Sequence, residues 1–257
     1  MSDSAMLKVD RASEHIRELN ELYREKRPFV FTVETDTQTR KRFAFIKQDE
    51  AVICRTAAIS GDIVHNLRAA LDHAYWEIVS PFATSPREKT KIQFPFCETA
   101  AGLEIAVKKR LGDRVSTRFF KALIDLKPHG DDGGNQLLHL IHKMDVIDKH
   151  RLLIPTCDET RLPYDQIKGA LPDFPFRMGK GVTFTGCEFR WSVQTLPTDI
   201  GVAKPPTTHI FEREFPIPIE IIFSVSFPPD RYPVVPTLYR LVDLTRETIA
   251  IIRAAAQ

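Results

Sequence analysis

The sequence predicts an α+β fold: a helical bundle of about five helices, a β-hairpin, and a C-terminal antiparallel sheet. Three observations carry that expectation. Five stretches repeat apolar residues at helical spacing, two runs between residues 29 and 48 are rich in Phe, Val, Thr and Ile, and beyond residue 155 prolines and glycines separate several short β-like runs. With 257 residues, 43% of them apolar and 17 phenylalanines, the chain can bury a real core. The expected division is a helical core with the hairpin over residues 1–155, then a β-rich region over 156–257 whose last helix packs back on the core. A single elaborated domain is the other way to assemble the same elements.

Taken in order, residues 4–26 set Val9, Ala12, Ile16, Leu19 and Tyr23 on one helical side, and Pro28 stops the helix. FVFTVETD and KRFAFIKQ, separated by TQTR, form the hairpin, with Arg40, Lys41 and Arg42 read as solvated charges near its tip. A helix is expected from Asp49 to about Ser80, with Gly61 as a kink or a close-packing point. KIQFPFC cannot be a central strand because Pro95 lacks an amide donor, so it reads as an edge strand or extended loop. Residues 99–125 are helical with a break near Gly112, and the basic side chains Lys108, Lys109, Arg110, Arg114, Arg118 and Lys121 are read as a solvated face.

The loop KPHGDDGG opens the next helix at about residue 135. Capping by Asp132 is expected there ahead of a phosphate cradle, since Asp131 and Asp132 would repel an anion. On that helix Leu137, Leu140, Ile141, Met144 and Ile147 make the buried stripe, and His139, His142 and Lys143 point away. Asp148 returns to the apolar arc, so it needs a partner, and the guanidinium of Arg68 or the ring of His73 would serve. VTFTGCEFRWSV and THIFEREFPIPIEIIFSVSF then read as strands, and about 236–255 as the last helix.

A net charge of +2 permits a nucleic-acid partner without demanding one. The N-terminus lacks a signal-peptide run and no window is long and apolar enough for a membrane span, so no membrane partner and a cytoplasmic location are expected. Cys54, Cys97, Cys157 and Cys187 show no CxxC spacing and read as reduced, structural thiols.

The candidate chemistry lies on GDIVHNLRAALDHAYWEIV, residues 61–79. Opposite its apolar arc stand His65, Asn66, Arg68, Asp72, His73 and Trp76, the composition of a site rather than of a solvated face. Arg68 and His73 lie about 140° apart around the helix, so they can flank one small ligand. That pair suits metal-independent cleavage of RNA, with His73 as general base or acid and Arg68 holding the charge of the phosphorane. The plainer reading is a polar network in which Arg68 pairs with Asp72 and His73 donates to a carbonyl. His139, His142 and Asp145 could instead ligate a divalent metal from one helical face, although HExxH is absent. Asp148, Lys149, His150 and Arg151 sit near a helix end, where cations ordinarily serve as caps.

The segments GDIVHNLRAALDH, FPF and DKHRLL resemble a widespread family of uncharacterised bacterial proteins carrying HNLRxALDH and DKHR motifs. More distantly, the R-x4-H pair is similar to the signature of HEPN-type helical ribonucleases, except that Ala69 follows the arginine and the polar Asn66 precedes it. The resemblance implies an endoribonuclease of bacterial defence or stress type that needs no cofactor, with RNA as substrate and a homodimer as its working form. Arg68 and His73 would be catalytic, with His65, Asn66, Asp72, Asp148 and His150 in support. A polar pocket between the helices at 61–79 and 135–151 would hold the substrate. The rival readings are a non-catalytic binding module for a small anionic ligand in the same pocket, and a metal-dependent hydrolase built on His139, His142 and Asp145.

Overall fold

The computed structural model describes residues 3–151, 155–158, 164–172, 174, 189–192, 210–215, 217, 219–223 and 232–257. Its elements are those of an α+β protein, eight α-helices and six strands among the described residues. The chain divides into two compact units: residues 1–21, 55–154 and 234–257 form a helical unit, and residues 22–54 and 155–233 form a unit that contains every described strand. The hairpin, expected with the helical core, thus groups with the later strands.

In the helical unit, α1 (Ser4–Glu25) buries Ala5, Val9, Ala12, Ile16 and Leu19, a stripe stepping by three and four residues that lies on one helical face. Three polar links tie it to α8 (Val234–Ala256): Asp3 to Arg253, Asp10 to Arg246, and Asn20 to Tyr239. Because the partners descend one helix as they climb the other, the two run antiparallel. Lys8 to Asn66 and Glu18 to Arg55 set the same relation with α2 (Glu50–Val79), a helix about 45 Å long at 1.5 Å per residue. On the apolar arc of α2, Ile63, Leu67, Ala70, Leu71 and Ala74 are wholly buried, and Ile78 at its end is partly buried.

After the short helix α3 (Pro86–Lys89) the chain runs extended past Phe94 and Phe96, and the only ladder contact here among the described residues is an isolated bridge from Cys97 to His129. This is the extended-loop form of the KIQFPFC expectation. Phe94 and Phe96 are buried, and the ring of Tyr75 meets those of Phe94 and Phe119 at 6.2 and 6.0 Å. The helical stretch at 99–125 breaks as expected, into α4 (Ala100–Lys109) and α5 (Thr117–Asp125), with a 3-10 turn at Gly112–Arg114 between them. Thr99 caps α4 and Ser116 caps α5, each side-chain oxygen accepting a first-turn amide.

Helix α6 (Gln136–His150) is capped by Asn135, whose Oδ1 accepts the amide of Leu138 at 3.0 Å. Asp132, expected in that role, is exposed, and its neighbour Asp131 caps differently, accepting the amide of Ala100. Helix α8 packs on α5 and α6 and buries Leu238, Leu241, Val242, Ile249 and Ile252.

In the second unit, β1 (Phe29–Asp36) and β2 (Lys41–Gln48) pair from Phe29 with Gln48 to Asp36 with Lys41. Asp36 folds the turn by accepting the amides of Gln38 and Thr39, and Arg40 takes the left-handed conformation at φ 55°. Strands β4 (Phe189–Ser192) and β5 (Ile210–Phe215) flank the hairpin, giving one antiparallel sheet in the order β4-β2-β1-β5. The later strands therefore extend the hairpin's sheet. The remaining pair, β3 (Pro155–Asp158) with β6 (Glu220–Phe223), makes a small ladder of its own.

The sheet core holds Phe31, Val33, Ala44 and Phe215, joined by Ile167 and Leu171 around α7 (Tyr164–Ala170). Arg42, expected as a solvated turn charge, is buried, with its Nε on Thr35 Oγ1 at 3.1 Å. Parts of the two long β-like runs, including Cys187, Pro216 and Pro218, lie outside the described residues, as does His209. No helix among the described residues is long and apolar enough to cross a membrane.

Candidate functional site

The polar arc of α2 divides into two environments. Asn66 and Arg68 are buried, whereas His65, His73 and Trp76 are exposed. Arg68 retains 8% of its surface. Its Nε donates to Asp72 Oδ2 at 3.2 Å, one turn on, and its Nη1 donates to His142 Nδ1 at 3.0 Å across to α6. The guanidinium lies 4.3 Å over the Phe96 ring, and Phe96 in turn stacks on His142 with centroids 5.2 Å apart. Phe96 reaches this position because the extended segment is pinned one residue before Pro95, where the amide of Phe94 donates to Asp72 Oδ1 at 2.8 Å. Both oxygens of Asp72 are therefore engaged. The space expected as an open pocket between the two helices is where Arg68, Phe96 and His142 meet.

An arginine can only donate, so Nδ1 of His142 must accept and its proton must sit on Nε2. Burial first, then the adjacent Arg68 and His139, pull His142 down to about 4, and burial likewise lowers His139. His139, expected to point away from the core, is 2% exposed, with Nε2 3.6 Å from Glu98 Oε2. The Nδ1 atoms of His139 and His129 are buried without a hydrogen-bond partner among the described residues.

A second cluster lies along α6. Asp145, 2% exposed, receives His65 Nδ1 on one oxygen at 3.2 Å and Lys149 Nζ on the other at 2.6 Å. Asp148 does not reach Arg68 or His73, the partners proposed for it from sequence. Its carboxylate lies against the bare α-carbon of Gly61, in space that a Cβ there would fill, and this is the close-packing role expected of that glycine. Burial, then the carboxylates of Asp62 and Asp145, raise its pKa. His150, the last residue of α6, is exposed.

His73 faces elsewhere. With Asp72, Trp76, Glu77, Ile92, Gln93, Asp3, Ser4 and Arg253 it lines a groove of about 780 Å³ on the helical unit. Arg68 is not among the residues that line it, so the two members of the R-x4-H pair open onto different surroundings, with Asp72 touching both. Trp76 leaves 47% of its surface free in this groove, while Arg253 is held there by Asp3 and Glu77.

Of the metal-site alternative, His139 and His142 stand edge to face with centroids 6.1 Å apart, and Asp145 is committed to His65 and Lys149. Among the described residues no group of three or more His, Cys, Asp or Glu side chains is arranged to hold a metal ion. Sequence reasoning missed Phe96 as the lid over Arg68, Glu98 beside His139, and the half-buried Arg110. The FPF motif was the one available signal for the first. The chain matches no protein-family model, no curated protein and no solved structure.

Proposed function

We propose that the helical unit is a ligand-binding module and that the ligand enters the groove beside Trp76. One observation carries this reading: an indole left nearly half exposed within a groove of about 780 Å³ and surrounded by hydrogen-bonding side chains. Among its lining residues Asp72 is paired with Arg68 and the single guanidinium of Arg253 is shared by Asp3 and Glu77, which leaves one negative charge over in the groove. That balance suits a flat ring bearing a positive charge or N–H donors better than it suits a polyanion. Benzamidine, a planar aromatic cation, is the direct probe. It should quench tryptophan fluorescence saturably and raise Tm, and Trp76→Ala should abolish both effects. Equal quenching and stabilisation in the variant would overturn the reading.

A second reading is metal-independent cleavage of RNA by a HEPN-like homodimer, and one observation favours it: His73 is exposed and lines the groove together with the carboxylates of Asp72 and Glu77. In it His73 moves the proton, and Arg68 reaches the phosphorane only after leaving Asp72 and His142. That displacement is why binding has the stronger support. Cleavage of single-stranded RNA in EDTA, lost in His73→Ala, would establish this reading; intact RNA over long incubation would remove it.

A further inference from the structure

The hydrogen bonds around the groove beside Trp76 show which carboxylate holds its surplus negative charge. Asp72 has both oxygens engaged within the fold, Oδ2 by Arg68 Nε at 3.2 Å and Oδ1 by the amide of Phe94 at 2.8 Å. Asp3 is engaged as fully. Arg253 closes a two-pronged fork on it, Nη1 to Oδ2 at 2.6 Å and Nη2 to Oδ1 at 2.8 Å, and Oδ1 also accepts the amide of Met6 in the first turn of α1 at 3.1 Å. Glu77 differs from both. It takes a single bond from Arg253, Nη2 to Oε2 at 2.9 Å, while Oε1 has no partner among the described residues and the side chain keeps 65% of its surface. The charge left over in the groove therefore lies on Glu77.

Glu77 follows Trp76 directly, about 100° further around α2, and both line the groove. A ring stacked on the half-exposed indole turns a face to Trp76 and its edges to the neighbouring side chains. Each carboxylate oxygen offers two acceptor positions, so Oε1 has both open and Oε2 has one. Two adjacent N–H groups on a ring edge can close on Glu77 as a fork, in the manner of Arg253 on Asp3. An edge that alternates donor with acceptor cannot, because its acceptor would face a carboxylate oxygen. Among the nucleobases the adjacent pair belongs to guanine, through N1–H and the exocyclic amine, whereas adenine sets an amine beside an acceptor nitrogen. The same unneutralised carboxylate repels a phosphate, so a base or nucleoside suits the groove and a nucleotide does not.

We infer that Glu77 determines the specificity of the groove and that its ligand is a heterocycle with two adjacent N–H donors on one edge, guanine or its nucleoside, stacked on Trp76. The inference rests on the reading of this groove as a ligand site and names the ligand that the site selects.

Guanosine, inosine and adenosine test it on the full-length protein, followed by calorimetric titration and thermal unfolding, with benzamidine alongside. Guanosine should raise Tm saturably and bind about tenfold or more tightly than adenosine, and inosine, which lacks the exocyclic amine, should fall between them. Glu77→Gln puts one acceptor and one donor where the carboxylate stood, so it should remove the preference for guanosine over adenosine. Its Tm without ligand should match the parent's, since the side chain is exposed. Glu104→Gln, which alters an exposed carboxylate of α4 outside the groove, should leave the preference unchanged. If benzamidine binds but guanosine binds no more tightly than adenosine, the inference is overturned and the groove remains a ligand site. If neither benzamidine nor guanosine binds, the groove reading and the inference fall together. A preference for guanosine that persists in Glu77→Gln would overturn the role given to Glu77.

Discussion

Arg68 and His142, separated by 74 positions in the chain, meet at 3.0 Å with the arginine donating into the imidazole. That contact requires His142 to be unprotonated, and it fixes a pH dependence. Burial, then Arg68, hold the folded His142 at about 4, well below the ordinary histidine value of 6.5. Between those two pH values the unfolded chain takes up a proton that the folded chain refuses, so stability is full above about pH 6.5 and falls as the pH drops toward 4. Discounted for the ring's remaining access to water, the loss is on the order of 1–2 kcal/mol. Urea denaturation from pH 7 to pH 4 checks it. His142→Asn, whose carbonyl oxygen can still accept from Arg68, should flatten the slope, leaving the smaller contribution of the same sign from His139.

The two members of the R-x4-H pair should separate by phenotype. Arg68→Ala strips Asp72 of its ion pair, leaves His142 without a donor and empties the space over Phe96. It should cost about 3 kcal/mol. His73→Ala removes an exposed ring, and stability should stay within about 0.5 kcal/mol of the parent. Chemical denaturation of both variants at pH 7.5 is the measurement, and equal losses would contradict the structural role given to Arg68.

Why Arg68 read as an open site residue is a matter of range. Helical periodicity correctly set it opposite the apolar arc of α2, but periodicity reports a face and not what covers that face. The cover comes from Phe96 and His142, remote in sequence, and the i,i+4 pairing with Asp72 was the local part that could be read. The hairpin was legible to the residue because alternation and turn chemistry are local, whereas its flanking strands β4 and β5 arrive from beyond residue 188 and left no mark on residues 29–48. Arg110 was grouped with the solvated charges of its helix for the same reason. The hydroxyl that fixes its carbonyl belongs to Tyr75, 35 positions earlier.

Asp145 is the buried carboxylate of α6, held by His65 and Lys149, both of which keep more than half of their side-chain surface. Losing one exposed partner is cheap because water replaces it, so His65→Ala should cost about 0.5 kcal/mol. Replacing Asp145 removes the buried member that both partners share and leaves a void, and Asp145→Ala should cost about 3 kcal/mol. Guanidinium midpoints of the two single variants check the asymmetry.

Gly61 and Asp148 should couple strongly. Alanine at position 61 gains about 1 kcal/mol in helix propensity, but its methyl would occupy the space of the Asp148 carboxylate, a clash of the kind that costs about 1–3 kcal/mol. Gly61→Ala alone should therefore be destabilising by about 1 kcal/mol. Asp148→Asn should be mildly stabilising at pH 7, because burial and the carboxylates of Asp62 and Asp145 raise the folded pKa of Asp148. A carboxyl raised in the folded state weakens the fold once the pH passes above its window, so that gain should vanish as the pH falls below about 3.8. In Gly61→Ala with Asp148→Ala the clash is gone and the propensity gain remains, so the pair should recover parental stability or exceed it. A double-mutant cycle measured at pH 7 should give a coupling of about 1–2 kcal/mol, and simple additivity would mean that the two residues do not press on each other.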